Sequence, residues 1–94
     1  MEVRIVKEFS LETVSEPDYV RVHVCPDPSD DTVMLATIER ITAFGSREAA
    51  LRKKAPCQVR PLVVNQRMSE EDALALARRY AEHKNISVIF ADHG

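Results

Sequence analysis

Glycine is scarce in this 94-residue chain: there are two, Gly45 and Gly94. A phosphate loop or a dinucleotide fingerprint needs several closely spaced glycines, so neither can be built here. Tryptophan is absent, and between Arg47 and Arg67 no aromatic side chain stands ready to stack on a base. Cysteine occurs twice, as Cys25 and Cys57. Two cysteines make no disulfide framework, and they lack the paired spacing of a structural zinc site. Free thiols in a reducing compartment are therefore expected. The nucleophile motif Gly-x-Ser-x-Gly is missing. No apolar run approaches the roughly 20 residues needed to span a bilayer. Met1-Glu2-Val3-Arg4 also lacks the basic-then-apolar order of a secretory signal. These absences lead to the expectation of a cytoplasmic protein with no membrane partner, no cofactor and no metal.

The residues that are present describe an ordinary globular chain, 45% hydrophobic and 30% charged, with a length that suits one domain over residues 1–94. The net charge of −2 conceals an asymmetry. Residues 1–45 hold four basic and nine acidic side chains, whereas residues 46–94 hold nine basic and six acidic. The first part thus carries −5 and the second +3. Arg47, Arg52, Lys53, Lys54, Arg60 and Arg67 face only Glu48 in their stretch, which reads as a patch for an acidic partner. The plainer reading, that these charges interleave with others and solvate the surface, takes precedence.

The firmest local pattern is a β-α-β unit from Val59 to Asp92. Ser69 before Glu70, Glu71 and Asp72 forms a capping-box arrangement, and the acids suit the positive end of a helix dipole. Ala73, Leu76, Ala77 and Tyr80 then recur at helical spacing as the buried stripe, with Leu74 and Ala81 widening it. Asn85 is placed as a left-handed stop. Ile86 to Ala91 is an apolar run without alternation, which suits a strand covered on both faces. Val59 to Val64 is the partner strand, put near an edge by Pro61. About twenty residues lie between the two strands, enough for the right-handed crossover of a parallel pair.

Upstream, Met1, Val3, Ile5, Phe9 and Leu11 alternate with polar residues, predicting a half-buried strand with a bend near Lys7. Ser15 to Asp18 turns the chain, and Tyr19 to Cys25 alternates again, with Val20, Val22 and Val24 inward. These two strands read as an antiparallel pair. Pro26 to Asp31 reads as an acidic loop. Thr32 to Phe44 is rich in β-branched residues and reads as a strand, with a break near Glu39-Arg40. A short helix opens at Gly45-Ser46, runs through Ala49, Ala50 and Leu51, and stops before Pro56. The order β-β-β-α-β-α-β predicts an α+β domain with a mixed sheet and two helices largely on one face.

Three constellations carry chemical potential. His23 and Cys25, two apart on a strand, share a face, where an imidazole could activate a thiol or join it as a metal ligand. The plainer reading takes precedence, because alternation puts residues i and i+2 together whatever their purpose. Secondly, Ser46 and Arg47 at the amino end of the first helix could hold a phosphate or carboxylate. Finally, the basic segment Arg47 to Arg67, with Arg52, Lys53, Lys54, Arg60 and Arg67, could neutralise nucleic-acid phosphates. No constellation converges on catalysis. The expectation is a small non-catalytic binding or regulatory module acting through a protein surface, with a protein partner or self-association. The alternative is a nucleic-acid-binding accessory protein using Arg47 to Arg67.

Overall fold

A computed structural model of the chain describes residues 2–7, 18–43 and 57–93. Their elements are β1 (Arg4–Val6), β2 (Asp18–Asp27), β3 (Asp30–Ala43), β4 (Cys57–Arg67), α1 (Glu70–Lys84) and β5 (Val88–His93). The strands form one mixed five-stranded sheet in the order β1-β5-β2-β3-β4. With α1 packed against it, the fold is α+β, and α1 is the one helix among the described residues. The expected first helix through Ala49 to Leu51 lies outside the described residues, as do Phe9, Leu11 and the turn residues 15–17.

Strand order departs from the sequence reading in two places. β1 and β2 are not an antiparallel pair: β5 lies between them and runs parallel to both. β4 and β5 run in the same direction but are not neighbours, since β3 and β2 separate them. One cause underlies both corrections. β5 is apolar on both faces, with Val88 and Ile89 fully buried on opposite sides, so an interior position with ladders on both edges suits it. The two-sided burial itself is what the run Ile86 to Ala91 predicts.

β2 and β3 form a hairpin with a continuous ladder from Asp18↔Thr42 to Pro26↔Met34. Val20, Val22 and Val24 point inward as expected, each at most 3% exposed. Burying each of them contributes about 1.5–3 kcal/mol relative to exposure. Tyr19, on the face opposite these valines, is buried there with Ile41 and Val88, against Val6 and Phe90. The acidic loop shrinks to Pro28-Ser29, because Asp27 and Asp30 belong to the strands. Asp27 Oδ1 accepts the Ser29 N–H at 2.8 Å, and Asp30 Oδ1 accepts from the Thr32 N–H and hydroxyl. These Asx contacts let aspartates tighten a hairpin rather than open a loop.

β3 is unbroken at Glu39-Arg40 on its β2 side. The irregularity lies instead on its β4 side, where the register slips between Ala36 and Ile38 and again between Ile38 and Glu39. Both slips place an extra residue on β4, and Asn65 there takes a left-handed conformation with φ 47°. Thr37 Oγ1 accepts the Asn65 N–H at 3.1 Å and holds the bulge. A bulged edge containing Pro61 is how sheets blunt an outer strand.

The ends of α1 follow the sequence. Ser69 Oγ accepts the Asp72 N–H at 3.1 Å, and Asn85 closes the helix at φ 59°, ψ 39°, its N–H reaching back to Ala81 and Glu82. Its buried stripe differs from the expected one. Ala73, Ala77 and Ala81 are fully buried at i, i+4 and i+8, while Leu76 is 42% exposed. The sheet beneath supplies the large side chains Val20, Val22, Ile38 and Ile89, so the helix contributes small ones and approaches closely.

Candidate functional site

Opposite α1, the sheet face carries a charged group built from three strands. Strand pleating puts Arg21, His23 and Cys25 of β2 on one side. Pairing places Glu39 opposite Arg21 and Thr37 opposite His23 on β3, with Phe90 and Asp92 beside them on β5. Arg21 Nη2 donates to Asp92 Oδ2 at 3.1 Å, and Arg21 Nη1 lies 4.0 Å from Glu39 Oε1. His23 Nδ1 approaches the same Asp92 oxygen at 3.4 Å without hydrogen-bond alignment, and neither it nor Arg21 Nε, both shielded from solvent, has a hydrogen-bond partner. Burial pushes the Asp92 carboxyl up, but Arg21 and His23 together outweigh it and hold Asp92 below the usual carboxylate range. An ionised carboxylate committed to a guanidinium is a poor general acid.

Sequence alternation correctly places His23 and Cys25 on one face. The residue it could not supply is Asp92, 71 positions beyond Arg21. No local pattern links the two; only the insertion of β5 beside β2 does. Cys25 is half-buried and a free thiol. Among the described residues, no group of three or more His, Cys, Asp or Glu side chains is arranged to hold a metal ion.

Of the basic segment, Arg60 and Arg67 are described, and Ser46, Arg47, Arg52, Lys53 and Lys54 lie outside the described residues. Arg60 stands opposite Arg40 and Arg67 opposite Leu35. Positions 35 and 40 differ in parity along a regular stretch of β3, so the two arginines project from opposite faces. Arg67 Nη2 lies 3.8 Å from Asp27 Oδ2, and no described carboxylate pairs with Arg60.

A second surface is set by where the helix stops. α1 covers β2, β3 and β5 and leaves most of β4 outside. Leu62 and Val63 are partly buried against the core, while Val59 is 45% and Val64 54% exposed. β4 thus presents apolar side chains and two cations, with no acid of its own. No described helix is long and apolar enough to cross a membrane. No family model matches the chain, and no curated protein or solved structure matches it either.

Proposed function

We propose that the protein is a non-catalytic binding module that holds an acidic segment of a partner protein across β4. The observation that carries this reading is the edge position of β4, where Val59 and Val64 are exposed and Arg60 and Arg67 project one from each face. Exposed apolar side chains among like charges suit a partner that buries the first and neutralises the second. Docking by side chains fits better than addition of a strand, because Pro61 and the two bulges interrupt the outer edge. The charged group of β2 and β5 supports the non-catalytic part, since the Asp92 carboxylate is committed to Arg21.

Affinity capture with the wild type, Val64→Asp and Arg60→Glu tests the reading. A protein retained by the wild type and lost from both folded variants supports it. Retention indifferent to both changes sinks it. The nucleic-acid alternative predicts salt-sensitive retention on heparin or duplex DNA. It is the weaker reading because β4 has no aromatic side chain to stack on a base.

A further inference from the structure

The outer surface of α1 bears an open groove lined by Met68, Asp72, Ala75, Leu76 and Arg79. Its four helical members stand at i, i+3, i+4 and i+7, so they form one stripe. All four are exposed, and the stripe lies away from the buried Ala73, Ala77 and Ala81. Read from its amino end, the order is acid, small, large, base. An antiparallel copy presents base, large, small, acid, so each position meets its complement. With a two-fold axis between Ala75 and Leu76, Asp72 faces the copy's Arg79, and Ala75 receives the copy's Leu76. We infer that this stripe is a self-complementary surface through which two copies of the chain pair, α1 against α1.

Three observations favour a second copy over another occupant. Asp72 and Arg79 are about 10 Å apart along the helix axis, too far to neutralise each other, and neither is ion-paired with a described residue. A parallel arrangement sets acid against acid, so only the two-fold orientation satisfies the charges, which is the requirement of an isologous interface. The helix dipole accounts for acids at the start and bases at the end, but not for a leucine 42% exposed between them. Ala75 opposite Leu76 lets the helices approach to about 8–10 Å. One helix stripe is a small interface, so the pair is weak and concentration-dependent. This inference does not depend on the β4 reading.

Sedimentation velocity at low salt, over protein concentrations on the order of 10–500 µM, tests it. The wild type is expected to dimerise with concentration, and Leu76→Glu to remain monomeric. Asp72→Arg and Arg79→Asp, each folded by circular dichroism, should each weaken the dimer at least about tenfold, because two attractions become two repulsions. Mixing these two variants in equal amounts should restore dimers, since every reversed charge then meets its opposite. A wild type that stays monomeric throughout overturns the proposal. So does a dimer indifferent to Leu76→Glu, or a mixture that does not recover. Val64→Asp, which tests the β4 surface, should leave this dimer unchanged, so either reading can fail without the other.

Discussion

Asp18, the first residue of β2, grips Arg40 of β3 by both prongs: Arg40 Nη2 lies 2.6 Å from Oδ2 and Nε 3.0 Å from Oδ1. Thr42 adds its hydroxyl to Oδ1 at 3.3 Å, and Arg40 Nη1 reaches the Tyr80 hydroxyl of α1 at 3.5 Å. The fork therefore ties the open end of the hairpin to the helix. The Asp18 contact, and then Tyr80, raises the guanidinium's already high affinity for its proton.

Removing one partner strands the other in a half-buried position, so Asp18→Ala is expected to destabilise the fold by about 1–3 kcal/mol. Arg40→Met keeps the stem packing, and in the Asp18→Ala background its further cost should be small. A double-mutant cycle in urea checks this coupling; additive losses contradict it.

Packing of α1 separates two neighbouring residues. Ala77→Leu forces a large side chain into a fully closed contact with the sheet and should cost about 1–3 kcal/mol. Leu76→Ala should cost less than about 1 kcal/mol when measured on dilute protein, because Leu76 remains largely in water. Thermal unfolding of both variants reads the contrast, and a reversed ranking refutes the placement of the stripe.

Asp92 gives the acid side of the stability curve a defined sign. Its folded-state pKa is held below the ordinary value, near 4, by Arg21 and His23 against the opposing effect of burial. Its contribution is therefore fully present above the ordinary carboxylate range and is lost as pH falls through the depressed folded value. The pair is one-third exposed, which limits the contribution to about 1 kcal/mol or less. Asp92→Asn should flatten that acid limb in denaturation series between pH 2 and 6, taken around the ordinary carboxylate range. An unchanged slope argues against the Arg21 contact.

Asn65 and Asn85 both adopt left-handed backbone, at φ 47° and 59°. Replacing either by valine places a β-branched side chain where sterics disfavour it and should cost about 1–2 kcal/mol. Glycine at Asn85 should be neutral or slightly stabilising, because it closes helices in this conformation without a Cβ penalty. Chemical denaturation of the three variants measures the difference. Equal losses for glycine and valine at Asn85 would falsify the cap assignment.

What the sequence determined by itself is local. Ser69 and Asn85 bound α1 because capping depends on groups within one helical turn. Val20, Val22 and Val24 declare the buried face of β2 because alternation is a property of the strand's own pleat. The run Ile86 to Ala91 declares burial on both faces for the same reason. Tertiary structure alone decided which strands meet. β5 takes the place beside β2 that the reading gave to β1, because pairing is a competition among all strands to cover apolar faces and backbone edges. That competition also brings Asp92 to Arg21, across 71 residues with no shared local pattern. It decides the face of α1 too. Alanine and leucine both satisfy a helical period, and only the bulk of Val20, Val22, Ile38 and Ile89 beneath the helix selects the alanines and turns Leu76 outward.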